Sequence, residues 1–270
     1  MAIPNVIAVM SATSSSTGST DTDPVLRTSG LSKEFSGFRA VSDVDLSVAP
    51  GTVHALVGPN GAGKTTLFNL LTGFLKPSSG TITIEGHDVT GMRPEQIAQR
   101  GVARSFQIAS LFEELTLAEH VELALQGRDG TGYRFWRSDK RLRRYAAETG
   151  RLLDQVGLGG MSGAPAGSLA YGQKRALELA LALALSPRLL LLDEPTAGMG
   201  VEDVTRTIEL IKRVRADRTI VLVEHNMQVV ADLADRVTVL QFGKVLAEGG
   251  YQEVRENPDV ITAYLGEAVA

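Results

Sequence analysis

The chain has 270 residues, 43% of them hydrophobic and 21% charged, a composition typical of an ordinary globular protein with one large domain or two modest ones. Its formal net charge of -4 argues against a protein that binds nucleic acid through a basic surface. Because there is no cysteine, disulfides, thiolate catalysis and cysteine-based metal sites are excluded.

The N-terminal residues are rich in Ser, Thr and Gly, which predicts a disordered tail over residues 1–23. They resemble a signal peptide only loosely, because an early Lys or Arg is missing and Pro4 lies inside a short apolar run. No segment reaches the roughly 18 unbroken apolar residues of a membrane span. The most apolar stretch, residues 177–192, is interrupted by Glu178, Pro187 and Arg188.

Strand-like patterns begin at Val25. "TVHALVG" (residues 52–58) predicts a short strand followed by a glycine-rich loop and a helical segment, "KTTLFNLLTGF". "GTITIEG" (residues 80–86) alternates as a strand does. From Pro94 to about residue 158 helical signals dominate with no comparable strand, which predicts a helical subdomain inserted over about residues 94–175.

Two apolar runs predict strands buried on both faces of a parallel sheet: "RLLLLDEP" (residues 188–195) and "RTIVLVEHN" (residues 218–226). "RVTVLQFGKVLAEG" (residues 236–249) predicts a hairpin that turns at Gly243-Lys244. The chain then ends in a predicted helix, with Asn257 at its N-cap and a proline at its first position.

Residues 176–185, "ALELALALAL", alternate in Leu as a strand would, but alanine is the best helix former and a poor strand former. A buried helix that ends at Pro187 is therefore the better interpretation. Strands that alternate with helices, together with a helical insertion, predict an α/β fold with a largely parallel core sheet.

"GPNGAGKTT" (residues 58–66), called the phosphate loop below, fits the pattern G-x-x-x-x-G-K-[ST] between a predicted strand and a predicted helix. Glycines let successive N–H groups turn toward phosphate oxygens, and the helix start adds a positive end. A glycine-rich turn that binds nothing is the alternative. The predicted nucleotide-binding residues here are Gly58, Pro59, Asn60, Gly61, Ala62, Gly63, Lys64, Thr65 and Thr66, with Lys64 on the β- and γ-phosphates and the Thr65 hydroxyl on Mg²⁺. The family resemblance given below implies that the nucleotide is ATP.

Two carboxylates directly follow the apolar residues 189–192, at the sheet edge where α/β folds bind ligands. Asp193 suits a contact to Mg²⁺, and Glu194 suits the polarisation of a water for attack on the γ-phosphate. Their alternative is a pair of exposed turn residues. His225 follows the next buried strand and is a candidate hydrogen-bond donor to the γ-phosphate, although a lone histidine there is more often packed in the core.

The order of these motifs resembles the ATP-binding cassette (ABC) family from residue 25 to the end, which implies a single ABC ATPase domain over residues 24–270. The resemblance implies that this domain has a P-loop NTPase core with a largely parallel sheet, an antiparallel β subdomain and the inserted helical subdomain. The resemblance implies that Phe35 stacks on adenine, with Phe38 as its rival, and that Gln107 contacts Mg²⁺ or the attacking water. It also implies a signature segment that contacts the ATP of the opposite subunit in a head-to-tail dimer. That segment consists of Leu169, Ala170, Tyr171, Gly172 and Gln173.

Longer segments, among them "LAYGQKRALELA", "GVARSFQ" and "NPDVITAYLGEA", resemble the ATPase subunits of branched-chain amino acid importers. ATPases of urea and short-amide importers are closely similar. The resemblance implies a peripheral subunit on the cytoplasmic face of the membrane, with permease subunits, a sister ATPase or a second copy of the chain, and indirectly a solute-binding protein as partners. The linker over residues 127–145 carries a basic cluster that we interpret as a solvated helix face, with contact to anionic lipid or a permease as the alternative. The cluster consists of Arg137, Lys140, Arg141, Arg143 and Arg144.

Three positions in and near the motifs depart from the family pattern. Ala170 stands where serine is usual, and Tyr171 where the first glycine is usual, so we expect the signature segment to act through its backbone and helix dipole. Gly200 replaces an aspartate that most members carry, which weakens the expectation of symmetric communication across the dimer.

Three other functions fit the sequence less well. A non-transport ABC ATPase generally carries long coiled coils or two cassettes in one chain, and neither is found in this sequence. A P-loop kinase or GTPase lacks a signature and a histidine in this arrangement, and a lipid-exporting cassette normally shows the unmodified signature. An ATP-hydrolysing importer subunit is the function that the sequence predicts best.

Overall fold

The computed structural model describes residues 23–105, 111–130 and 142–265. Residues 1–22 of the predicted tail, Gln107 and the side chains of the basic cluster lie outside this part of the chain. In it, the strands are β1 (Leu26–Phe35), β2 (Phe38–Val48), β3 (Val53–Val57), β4 (Ser79–Ile84), β5 (His87–Asp88), β6 (Val102–Arg104), β7 (Leu189–Asp193), β8 (Thr219–Val223), β9 (Arg236–Gln241) and β10 (Lys244–Gly249). The α-helices described are α1 (Lys64–Leu71), α2 (Pro94–Ala98), α3 (Leu117–Arg128), α4 (Leu142–Gln155), α5 (Tyr171–Ala184), α6 (Val201–Val214), α7 (Met227–Leu233), α8 (Tyr251–Glu256) and α9 (Pro258–Leu265).

A six-stranded sheet forms the centre of the molecule, in the order β10-β9-β3-β8-β7-β6. Its neighbouring strands are parallel from β9 to β6, and only β10 runs antiparallel, to β9. Every residue of β3, β7 and β8 is buried. The predicted α/β fold with a largely parallel core sheet is confirmed.

The strand β6 corrects the sequence analysis, which expected no strand between Pro94 and residue 158. Val102, Ala103 and Arg104 pair in parallel with Leu189, Leu190 and Leu191 of β7. The segment therefore returns to the core sheet before the chain reaches α3. A strand of three residues is too short to show an alternating pattern in the sequence. Only its pairing with β7 in the folded protein identifies it as a strand.

Hydrophobic side chains cover both faces of the core sheet. Along β7, Leu190 and Leu192 join a cluster with α3, α4, α5 and α6, whereas Leu189 and Leu191 join a cluster with α1 and the second sheet. This arrangement explains why the strand is a continuous apolar run. The helices α3, α4 and α5 contact one another on the first face.

The second sheet has the order β2-β1-β4-β5, and all of its pairs are antiparallel. It matches the antiparallel β subdomain that was predicted. The predicted hairpin is formed by β9 and β10 and turns one residue earlier than expected, at Phe242-Gly243. Asn257 precedes α9, and its Oδ1 accepts the N–H of Asp259 at 2.9 Å.

In the ranges that the structure describes, no helix is both long enough and apolar enough to span a bilayer.

Candidate functional site: a nucleotide site at the carboxyl edge of the core sheet

Three neighbouring parallel strands end at the same edge of the core sheet. The strand β3 ends at Val57, directly before the phosphate loop. Its neighbour in the sheet is β8, which ends at Val223 and is followed by Glu224 and His225. The next strand in the sheet is β7, which ends at Asp193. Residues far apart in the sequence are thereby brought together where α/β folds place their ligands.

The phosphate loop has the backbone that its glycines permit. Gly58, Gly61 and Gly63 have φ angles of 147°, 75° and 99°, which L side chains rarely adopt. The helix α1 begins at Lys64, so its first N–H groups face the loop. This is the geometry that an anion-binding loop requires.

Two other segments hold the phosphate loop in place through their backbones. A Cβ atom at Gly58 would collide with the carbonyl oxygen of Leu240, and one at Gly63 with that of Ala40. The N–H of Gly243, at the β9–β10 turn, donates to the carbonyl of Ala62 at 3.0 Å. The loop is therefore fixed by main-chain atoms.

Side chains of the phosphate loop differ in their surroundings. The ammonium group of Lys64 donates to the carbonyls of Gly58 and Pro59, at 2.5 and 2.9 Å. It thus lies in the concave face of the loop, beside the positions where phosphate oxygens would bind. Thr65 and Asn60 are exposed, and Thr66 is half-buried.

Asp193 is held by an arginine that the sequence analysis did not select. Its Oδ2 accepts from Nη2 of Arg104 at 2.6 Å, and the side chains are 1% and 14% exposed. Arg104 also donates to Asn69 of α1 at 2.7 Å, and its guanidinium lies 5.0 Å from the ring centre of Phe68. The pair connects the end of β7 to the phosphate-loop helix. No signal in "GVARSFQ" reveals it, because it requires β6 to lie beside β7.

Glu194 occupies a strained position. Its φ of 44° is in the left-handed region, where a non-glycine residue is uncommon and often marks a functional site. Its N–H donates to the carbonyl of Val223 at 2.9 Å, which connects the turn after β7 to the end of β8. The residue is half-buried at the sheet edge, in contrast to a freely exposed turn residue.

His225 is exposed at the carboxyl end of β8. By contrast, His54 and His120 are 0% and 5% exposed and are packed in the protein. Nε2 of His54 shares a hydrogen bond with the hydroxyl of Thr238 at 2.7 Å, and burial lowers its pKa to about 4. A packed core role therefore fits His54, whereas the placement of His225 leaves its ring available to a ligand.

Glu224 was also missed by the sequence analysis. It stands between the last residue of β8 and His225 in the sequence, and its side chain is fully buried. The carboxylate accepts hydrogen bonds from Thr196, His225 and Asn226. Its signal in the sequence was a charged residue that directly extends the apolar run "TIVLV". Such a residue at the end of a buried strand needs partners, and the structure provides them.

The signature segment lies at the start of α5. Leu169 is buried, whereas Ala170 is exposed at the N-cap with no side-chain acceptor of its own. Oε1 of Gln173 accepts the N–H of Ala170 at 3.0 Å. A Cβ atom at Gly172 would lie 2.9 Å from Cγ of Asp203 in α6.

Tyr171 connects the signature segment to the loop after β7. Its hydroxyl donates to the carbonyl of Ala197 at 3.1 Å and accepts from Nη2 of Arg175 at 3.1 Å. The Arg175 guanidinium lies 5.4 Å from the ring centre. The tyrosine that departs from the family pattern thus forms a contact that a glycine cannot form.

The two candidate adenine-stacking residues flank the β1–β2 turn. Phe35 is 42% exposed with the Lys33 ammonium 5.1 Å from its ring centre, and Phe38, its register partner, is 68% exposed. Both are accessible, so exposure does not separate them. Ala40, two residues beyond Phe38, is the residue whose carbonyl faces Gly63.

Among the residues that the structure describes, no group of three or more His, Cys, Asp or Glu side chains is placed to hold a metal ion. The magnesium ligands predicted from the sequence are of another kind: the Thr65 hydroxyl, the Asp193 carboxylate and Gln107. Mg²⁺ prefers oxygen ligands and is commonly held by one or two carboxylates together with substrate phosphates. The chemistry of Thr65 and Asp193 fits such an ion.

Comparison with known proteins agrees with this geometry. Residues 41–197 match the family "ABC transporter", and residues 244–270 match "Branched-chain amino acid ATP-binding cassette transporter". The chain is 40% identical over 255 residues to the high-affinity branched-chain amino acid transport ATP-binding protein BraF of Pseudomonas aeruginosa, with 91% of this chain and 99% of BraF covered. It is 40% identical over 252 residues to LivG of Escherichia coli, a protein of the same description, with 91% and 99% covered.

Among solved structures, the ADP conformation of MJ1267, an ATP-binding cassette of an ABC transporter, is similar with a TM-score of 0.80 and 28% identity. The similarity covers 91% of this chain and 100% of MJ1267. The family match covers more than half of the 270 residues, and full-length relatives exceed 30% identity. This chain therefore belongs to the ABC transporter family, as one of its ATP-binding ATPase subunits.

Proposed function

We propose that this chain hydrolyses ATP to power an importer of branched-chain amino acids. The observation that carries the proposal is the meeting of the phosphate loop, Asp193-Glu194 and His225 at one edge of the core sheet, in a chain similar over nearly its whole length to BraF and LivG. Urea or short-amide import is the second candidate, because those ATPases share the same motifs.

Each residue has a chemical role in this proposal. The glycine loop and Lys64 bind the phosphates, and Glu194 polarises the attacking water. His225 donates to the γ-phosphate, so that with Lys64 it stabilises the charge that develops there. Thr65, Asp193 and Gln107 would hold Mg²⁺, whose role when bound is to neutralise phosphate charge.

The proposed assembly has two cassettes in a head-to-tail dimer, with a sister ATPase or with a second copy of this chain. The signature segment would then contact the ATP held by the opposite subunit. We place the permease contact near Gln107, Leu111 and Phe112, at the cytoplasmic face of the membrane, with the solute-binding protein acting through the permease. The 64% exposure of Phe112 supports this placement.

The test is to purify the complex with its permease and binding protein, reconstitute it in vesicles, and measure ATP-dependent uptake of labelled leucine, isoleucine and valine. We expect uptake of these solutes and none of urea. Glu194→Gln should bind ATP normally while hydrolysis and uptake fall about 10²-fold or more, because the group that polarises the water is lost.

The outcomes separate the parts of the proposal. Uptake of urea in place of leucine would exclude the amino acid assignment and keep the ATPase. Undiminished hydrolysis by Glu194→Gln would remove Glu194 from its role.

A further inference from the structure

Glu224 is a buried carboxylate without an assigned role in the proposed reaction. It is 0% exposed, and its own N–H donates to the carbonyl of Leu56 at 3.3 Å, so the residue continues the sheet beyond β8. An ionised carboxylate in this environment is unfavourable unless hydrogen bonds compensate for the lost water. The partners of Glu224 therefore indicate what it holds.

Each carboxylate oxygen of Glu224 binds a different loop. Oε1 accepts from the N–H and the hydroxyl of Thr196, at 3.2 and 2.6 Å. Oε2 accepts from the N–H groups of His225 and Asn226, at 3.1 and 3.3 Å. Thr196 is only 5% exposed, so its bonds to Glu224 are shielded from solvent, and such charge-assisted bonds are strong.

The two loops carry the two proposed catalytic side chains. Thr196 lies two residues after Glu194, on the loop that leaves β7, and His225 lies on the loop that leaves β8. The backbone also connects them, because the N–H of Glu194 donates to Val223. The buried side chain of Glu224 adds a second connection between the two loops, because it binds Thr196 on one loop and His225 and Asn226 on the other.

We infer that Glu224 is a positioning residue that fixes the loops of Glu194 and His225 relative to each other, so that both side chains face the same γ-phosphate. This inference rests on the proposed function. None of these hydrogen bonds to the Glu224 carboxylate involves a residue of the phosphate loop. Loss of the carboxylate should therefore slow hydrolysis and leave ATP binding intact.

The variants are chosen to separate positioning from general stability. Glu224→Gln keeps the shape but replaces one acceptor oxygen with an NH₂ group that would face N–H or O–H donors. Thr196→Val removes a single hydroxyl and leaves the carboxylate. Glu248→Gln is the control, because Glu248 accepts from Arg236 and Thr238 at 2.7 and 3.0 Å in the first half of β9, at the opposite end of the strand from the phosphate loop.

ATP affinity, kcat for steady-state hydrolysis and melting temperature are measured on the complete transporter. We expect kcat to fall about 10- to 100-fold in Glu224→Gln and about threefold in Thr196→Val, since small displacements of reacting groups are costly. ATP affinity should stay within about twofold in both, and Glu248→Gln should keep normal turnover. In a His225→Ala background, Glu224→Gln should have an effect at least about threefold smaller than in the wild type.

Normal kcat in Glu224→Gln and Thr196→Val, or an equal effect of Glu224→Gln in both backgrounds, would overturn the inference. If Glu224→Gln does not fold, Thr196→Val decides by the same kcat criterion. Hydrolysis that is lost in Glu194→Gln and normal in Glu224→Gln would reject the positioning role alone. Hydrolysis unchanged in Glu194→Gln would reject the proposed function as well.

Discussion

The phosphate loop and the signature segment both present a helix start and a glycine, but the protein holds them by different means. Around the phosphate loop the close neighbours are main-chain atoms, the carbonyls of Leu240 and Ala40. At Gly172 of the signature segment, the closest atoms to a new Cβ belong to the carboxylate of Asp203. Main-chain neighbours in a sheet cannot move aside at low cost, whereas side chains can change rotamer. The two segments should therefore respond differently to the same substitution.

Of the two segments, the phosphate loop should show the larger effect, and Gly63→Ala tests it. The new Cβ would collide with the carbonyl of Ala40, and a φ of 99° disfavours alanine in any case. Strain and overpacking together should weaken ATP binding by about 10²-fold, or ~3 kcal/mol. Titration with a fluorescent ATP analogue measures this loss.

Gly51→Ala is the control for Gly63→Ala, because Gly51 has a φ of 71° with no atom within 4 Å of a new Cβ. It should cost about 1 kcal/mol of unfolding free energy and leave ATP binding unchanged. If Gly63→Ala bound ATP as well as Gly51→Ala does, the main-chain support of the phosphate loop would not matter for binding.

A smaller effect is expected for Gly172→Ala in the signature segment. Alanine in a helix is more stable than glycine by about 0.5–1 kcal/mol, but the new Cβ would have to displace the Asp203 side chain, which costs free energy. Because these two contributions oppose each other, the unfolding free energy should change little. In an Asp203→Ala background the same substitution should stabilise the protein by that gain. Chemical denaturation of the wild type, the two single variants and the double variant measures this double-mutant cycle.

If Gly172→Ala were equally destabilising with and without Asp203, the close approach of that carboxylate would not be the reason for the glycine. The signature segment would then resemble the phosphate loop, and the distinction between the two would fail.

Only a small effect on turnover is expected for Ala170→Ser in the signature segment. A serine at the N-cap of α5 should raise the unfolding free energy by about 1 kcal/mol, because its hydroxyl can accept from the first turn of the helix. ATPase turnover of the assembled transporter should change only severalfold, since one neutral hydrogen bond contributes about 0.5–1.5 kcal/mol. A rise of orders of magnitude would contradict the hypothesis that this segment acts through its backbone and helix dipole.

The difference between the two segments also shows how much of the candidate site was predictable. The phosphate loop was found because its glycines, lysine and threonine are consecutive, and the structure places α1 at Lys64 as predicted. For the signature segment the sequence gives the residues but not their contacts. The hydroxyl of Tyr171 reaches Ala197, 26 positions away in the sequence, and only the packing of α5 against the loop after β7 creates that bond.

Local patterns of burial and backbone freedom in the sequence predict the buried strands, the phosphate loop and the acids Asp193 and Glu194 at a strand end. His225 became a candidate only in combination with those motifs, because a lone histidine after a buried strand is more often packed in the core. Tertiary structure alone decided the strand β6, the bond of Arg104 to Asp193 and the connection of two loops by Glu224. These features join residues up to 89 positions apart. Each depends on which strands lie side by side, and strand order is set by the packing of the whole sheet, which no short segment encodes.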